Sequence, residues 1–261
     1  MIEEIYEDIS EQRYQFVLSL YLIRTQYPQM GLFQPDFIWV IFRAMMPSKY
    51  NRSDADIKKA VYEWCDGPLE AEVKYGHISK WNTSLVTNMN KLFYFKRYFN
   101  DDISKWNVSS VTDMKDMFHL TCFNGDISGW DVSSVTNMRS MFRETPFHGD
   151  ISGWNVSSVT NMESMFLNTP FNGDISGWNV SSVTSMFCMF SNTPFDGDIS
   201  RWNVSSVTNM KYMFSYSQFD GDISGWDVSS VTNNTSMFSN CPIPNRHKPR
   251  GSYSCNYIIK T

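Results

Sequence analysis

The chain of 261 residues is short of the groups that most catalytic chemistry needs. Its four histidines, His77, His119, His148 and His247, stand in unrelated contexts without metal-ligand spacing. Five cysteines, Cys65, Cys122, Cys188, Cys241 and Cys255, are odd in number and scattered, which argues against a zinc motif or a disulfide framework. Only Cys241 and Cys255 could clip the C-terminal tail. Charged residues make up 19% of the chain with a net charge of −5, so there is neither the basic stripe of a nucleic-acid binder nor a long acidic tail. The apolar runs Phe16–Ile23 and Phe37–Met46 are too short to span a bilayer. The acidic start, Met1 to Asp8, lacks the basic and apolar parts of a secretory signal, so the chain as given reads as cytoplasmic. A surface or secreted location would require an incomplete N-terminus. No serine or threonine has a base paired with it in sequence pattern. The expectation is a non-enzyme without metal or cofactor.

What the chain does have is a clock of tryptophans. Trp81 and Trp106 are 25 residues apart, and Trp130, Trp154, Trp178, Trp202 and Trp226 follow at intervals of 24. A period of this length marks a supersecondary unit that buries its apolar face only by stacking on its neighbours. Counted from the isoleucine of each unit, apolar residues recur at slots 0, 3, 5, 8, 11, 14 and 15, as in Ile127, Trp130, Val132, Val135, Met138, Met141 and Phe142. A further phenylalanine, such as Phe123, precedes each isoleucine by four residues.

The Ile-x-x-Trp-x-Val part has the alternation of a strand with Trp and Val inward. Thr-x-Met-x-x-Met-Phe then has the spacing of one helical turn, with Thr136 placed to cap it. Pro146, Pro170 and Pro194 suit the return turn, and Gly149, Gly173 and Gly197 are expected at positive φ there. Parallel stacking at ~4.8 Å would align the slots into ladders of Trp, Met, Phe and Asn/Asp. Methionines so regularly set beside Phe and Val read as core rather than as an adaptable groove.

The Asp ladder, Asp102, Asp126, Asp150, Asp174, Asp198 and Asp222, is too sparse for calcium and reads as turn caps that accept backbone amides. Asn107, Asn155, Asn179 and Asn203 form glycosylation sequons, but Asp131 and Asp227 share their column, so a side-chain oxygen is what the slot requires.

The unit Phe-Asn-Gly-Asp-Ile-Ser-Gly-Trp-Asp-Val-Ser-Ser-Val-Thr-Asn-Met-x-Ser-Met-Phe resembles the repeat of BspA-like leucine-rich-repeat proteins, the mycoplasma-lipoprotein and bacterial surface-protein type. The resemblance covers about residues 76–242. It implies an α/β fold, a right-handed leucine-rich-repeat-like solenoid of about seven tiers, and roles in adhesion or protein recognition without catalytic residues. The segment Ser53–Trp64 resembles the helix that precedes such arrays. Asp54 or Ser53 suits its N-cap, and Ile57, Val61 and Trp64 its buried stripe.

The organisation expected is therefore a helical N-terminal region of unknown role over 1–50, a capping helix and linker over 51–75, repeats over 76–242, and a tail over 243–261. Within 1–50, Tyr6–Tyr27 and Pro35–Met46 read as two helices, with Pro35 and Asp36 suited to the start of the second. Gln34–Phe42 is faintly similar to the opening of an F-box.

The reading is a monomeric, non-catalytic recognition module whose partner is a protein, with a surface adhesin or an F-box-like adaptor as alternatives. Slots that stay fixed are explained by stacking, so recognition can reside only where tiers differ. Those residues are Lys115, Arg139, Glu163, Phe187, Lys211 and Tyr212, with His119, Arg143, Glu144 and Tyr216 beside them. Lys105 and Arg201 are the distinctive residues of the expected strand face.

Overall fold

The computed structural model describes residues 49–250. The two expected helices of the first 50 residues, the F-box-like segment and Cys255 lie outside the described residues. The chain divides into two compact units, Met1–Asn51 and Arg52–Thr261, of which the second holds the repeats.

Its regular elements are few. Strand β1 (Asn51–Ser53) pairs with β2 (Asn82–Leu85); between them come α1 (Ile57–Asp66), α2 (Pro68–Tyr75) and a 3-10 turn over Ile78–Lys80. The stripe Ile57, Ala60, Val61 and Trp64 of α1 is buried, as its spacing requires. The expected single capping helix is broken at Gly67, where Pro68 begins α2 in the first-turn position that tolerates a missing N–H. Gly76 ends α2 with φ 72, a conformation that costs a glycine little.

The N-cap of α1 is Asp56, not Asp54 or Ser53, and it makes no side-chain cap bond. Asp56 instead accepts from the Ser53 amide at 2.9 Å. Asp54 is used elsewhere: its carboxylate accepts the backbone N–H groups of Thr87 and Asn88, at 2.9 and 3.0 Å.

From Ile78 onward the repeats stack. The inward slots are buried throughout the middle tiers; Ile127, Trp130, Val132, Val135, Met138, Met141 and Phe142 are all under 5% exposed. Phe118, Phe142, Phe166, Phe190 and Phe214 form a column of near-parallel rings with centroids 5.7–5.9 Å apart. From Trp106 to Trp226 each repeat Trp Nε1–H reaches back to an isoleucine carbonyl of the tier before, as Trp154 does to Ile127 at 3.1 Å, while Trp81 donates to the Gly76 carbonyl. Burying an indole with its one donor satisfied avoids the penalty of an orphaned polar group.

The backbone ladder lies on the other half of the repeat from the one expected. Ile-x-x-Trp-x-Val is a pair of turns, closed by Trp130 N–H to the Ile127 carbonyl and Val135 N–H to the Val132 carbonyl. The parallel bridges link Asn88, Asp113, Asn137, Asn161, Ser185, Asn209 and Asn233, in the segment expected to be a helical turn. There the amides of Met138, Ser140, Phe142 and Glu144 donate to the carbonyls of Asn161, Glu163, Met165 and Leu167 in the next tier. The amides between them close turns within the tier, as Met141 does to Met138 and Thr145 to Phe142.

Such a backbone needs left-handed residues at regular intervals, and it takes them without glycine. Ser140 and Glu144 have φ of 52 and 56, and the same two slots are positive in every tier, through Leu120, Cys188, Tyr212 and Tyr216. Among the described residues only Gly76 is a positive-φ glycine, so the expectation for Gly149, Gly173 and Gly197 is corrected. Those glycines serve packing: a Cβ on Gly149 would stand 3.0 Å from the buried Phe147 ring. Thr136 does not cap a helix. Its amide and hydroxyl both donate to the Thr112 carbonyl, and the same bond repeats up a threonine column.

Candidate functional site

The slot that varies most between tiers lies on the face that carries this ladder. Slot 12, which holds Lys115, Arg139, Glu163, Phe187 and Lys211, lies between the two inward methionines, so its side chain points away from the core. Arg139 is exposed and the other four are half-buried. Their backbone carbonyls accept ladder bonds from the preceding tier, so the column stands on fixed backbone.

Neighbouring tiers put these side chains in contact. Arg139 Nε is 3.4 Å from a Glu163 carboxylate oxygen, and Glu163 also accepts from the Ser185 hydroxyl at 2.8 Å. Phe187 meets Tyr212 edge-on at 6.3 Å, and the Lys211 ammonium lies 4.9 Å from the Tyr212 ring centre. The upper part of the column is therefore aromatic and cationic, and the middle is an ion pair. A paired, half-exposed charge of this kind adds little stability, which leaves it available to exchange partners.

Beside the column, His119 is buried between Tyr94 and Phe95, with Nδ1 3.6 Å from Asp116. Burial pushes its imidazole below the ordinary value, and Arg143 adds to that shift. Arg143 Nε donates to Glu144 at 3.1 Å, and Tyr216 projects outward from the sixth tier.

Lys105 and Arg201 are exposed but belong to a different column, between the isoleucine and tryptophan of the second and sixth tiers. Glycines fill that slot in the tiers between, and a Cβ on Gly129, Gly153 or Gly177 would meet nothing within 4 Å. The structure does not bring Lys105 and Arg201 together. Their face is also not a strand face, because no ladder bond runs there.

The Asp ladder behaves as turn caps. Asp126, Asp150, Asp174, Asp198 and Asp222 each accept the amide of the serine two residues on, at 2.9–3.0 Å. Those backbone bonds, with the serine hydroxyls, hold the carboxyls below their usual range. Among the described residues no group of His, Cys, Asp and Glu is placed to hold a metal ion. Burial lifts the thiols of Cys65 and Cys188 to about 11, so both stay protonated at neutral pH. Cys241, in a slot filled by Thr145, Thr169 and Thr193 in other tiers, directs Sγ to the Phe219 carbonyl at 3.1 Å. No helix among the described residues is long and apolar enough to cross a membrane.

One surface feature was not singled out in the sequence. After Phe95, the residues Lys96, Arg97 and Tyr98 stand where later tiers have two residues such as Thr145-Pro146, and the 25-residue interval from Trp81 to Trp106 was the signal. These residues line a cleft of about 390 Å³ together with Trp64, Cys65, Pro68, Phe99 and Asp101.

No curated protein and no solved structure matches the chain. One family model matches twice in overlapping tandem, over residues 68–170 and 143–249, and so takes in the helix α2, all the complete tiers and the start of the tail. The chain belongs to the repeat family described as "Mycoplasma protein of unknown function, DUF285".

Proposed function

We propose that the protein is a non-catalytic recognition module that binds a protein partner through the ladder face of its stacked repeats. The observation that carries this reading is the slot-12 column. It changes identity from tier to tier while the backbone beneath it stays the same, from Lys115 through Arg139, Glu163 and Phe187 to Lys211. A rigid scaffold that displays a varied row of charged and aromatic side chains has the composition of a protein-binding surface, in which Arg and aromatic residues carry most of the energy.

We assign the stack to a BspA-like, right-handed solenoid related to leucine-rich repeats. The ring spacings support an arc: centroids beside the ladder are 5.7–5.9 Å apart, against 6.3–6.4 Å for the Phe123–Phe195 column farther from it. The ladder face would then be the inner one. Monomeric behaviour and a cytoplasmic location are part of the same proposal.

A pull-down from the native host with the full chain as bait, read by mass spectrometry, tests the function. A partner retained by the full chain and lost by the Arg139→Ala/Lys211→Ala variant supports it. A partner retained equally by both places recognition elsewhere.

A further inference from the structure

The first tier ends differently from all the others, and the difference makes a surface. From Phe93 to Phe99 is six positions, where Phe142 to Phe147 is five. The extra residue lifts a loop of two aromatics and two cations out of the stack. Tyr98 is 95% exposed, and Phe95, in the slot that Tyr216 fills in the sixth tier, is 46% exposed. Across from the loop stand Trp64, Cys65 and Pro68, at the junction of α1 and α2. The cleft between is large enough, at about 390 Å³, for one bulky side chain.

The charges at this cleft are unbalanced. The one carboxylate in its lining, Asp101, is already held by Trp64 Nε1 at 2.7 Å. Lys96 lies 4.0 Å from the Tyr62 ring centre, a contact that orients the ammonium without neutralising it. Arg97 is exposed and makes no ion pair among the described residues.

The backbone alongside is also incomplete. In every later tier the carbonyls equivalent to those of Asn90 and Tyr94 accept an amide from the tier before: Lys115 accepts from Lys91, and His119 from Phe95. The first tier has no tier before it, and no described residue donates to Asn90 or Tyr94. The second of these carbonyls, that of Tyr94, is next to Phe95 in the cleft wall.

We infer that this end of the stack is a second docking site, for an extended peptide segment of a partner that carries a bulky apolar side chain beside a carboxylate. The apolar side chain enters the cleft between Trp64 and Phe95. The carboxylate pairs with Arg97 and Lys96, and the peptide's amides meet the Asn90 and Tyr94 carbonyls. Main-chain bonds along an exposed edge supply affinity, while the pocket and the cations supply selectivity. The site goes beyond the slot-12 column and stands without it.

Panning a random twelve-residue peptide display library on the full chain tests the site, followed by fluorescence anisotropy on the enriched peptides. The expected consensus pairs an aromatic or branched apolar residue with Asp or Glu. Affinity should fall at least tenfold in Arg97→Glu and weaken in Tyr98→Ala, with the melting temperature unchanged because both side chains are exposed. The Arg139→Ala/Lys211→Ala variant should bind the peptides as the parent does, which separates this site from the column. Enrichment of sequences without acidic residues, no enrichment, or equal binding by Arg97→Glu would overturn the inference. So would a concentration-dependent dimer abolished by Arg97→Glu, since the occupant would then be a second copy of the chain.

Discussion

The carboxylate of Asp54 is to Thr87 what the carbonyl of Thr87 is to Thr112. Thr112 donates its amide and hydroxyl to the threonine carbonyl below, at 2.8 and 3.3 Å. Thr87 has no tier below and donates both to Asp54 instead, at 2.9 and 2.5 Å. A side chain from the capping segment thus stands in for a missing repeat. Burial acts to raise the Asp54 pKa, but the bonds from Thr87 and Asn88 together outweigh it and hold the carboxyl below its ordinary value. Removing the acceptor orphans two amides. Asp54→Ala should cost about 1 kcal/mol, as for a lost helix cap, and should speed hydrogen exchange at Thr87 and Asn88 alone. Unchanged exchange at those two amides would refute the capping role.

Gly149 and Gly153 look alike in sequence and should respond oppositely to alanine. Gly149 faces the Phe147 ring, which is stacked 4.0 Å from Phe142 and cannot give way. Gly153 has open space. Gly149→Ala should cost roughly 1–3 kcal/mol in denaturant unfolding through overpacking, and Gly153→Ala should lie within about 0.5 kcal/mol of the parent. Equal effects would mean that the Phe147 column is loose.

Tyr216 sits at φ 58 with its ring 62% exposed, whereas the same slot holds Asn168, Asn192 and Asn240 in other tiers. A bulky residue in the left-handed region is strained, and asparagine tolerates it better. Tyr216→Asn should therefore raise stability by roughly 1 kcal/mol. A loss of stability would show that the exposed ring makes contacts that outweigh its backbone strain.

His119 should make stability depend on pH. Its folded pKa is lowered, by burial first and then by Arg143, so the folded state binds fewer protons than the unfolded one near pH 6. The stability from the neutral, buried ring is complete above the unfolded value of about 6.5 and is lost as pH falls below it. Unfolding measured from pH 7.5 to 5 should show this decline, and His119→Phe should flatten it. An identical slope in the variant would assign the decline to other groups.

Much of the stack was legible before the structure. The Trp clock gave the tiers, and every inward slot of the middle tiers is buried as the spacing required. The Asp column was readable because a short acceptor followed two residues on by serine has one common use, the turn cap. What could not be read was which half of the repeat carries the ladder. Met-x-x-Met-Phe spacing suits a helical turn, but it suits equally a run of tight turns whose ends are left-handed, and Ser140 or Glu144 gives no warning of φ near 55. Gly149 misled in the other direction, since a close ring and a left-handed turn both ask for glycine. Asp54 was read as a local cap because sequence shows neighbours along the chain, and Thr87 is a neighbour only in space. The slot-12 column, by contrast, was visible in sequence, because repeats align themselves and expose an outward slot that changes from tier to tier.

The central claim is that recognition resides in that column on the ladder face. Affinity for the captured partner, measured on two double variants, tests it most directly. Arg139→Ala with Lys211→Ala removes one end of the Glu163 ion pair and the cation over Tyr212. Lys105→Ala with Arg201→Ala removes two cations from the slot that glycines fill in the tiers between. The account predicts at least a tenfold loss in the first variant, little change in the second, and parental melting temperatures in both. Equal losses, or a larger loss in the second, would contradict it and move the site to the face beside the tryptophans.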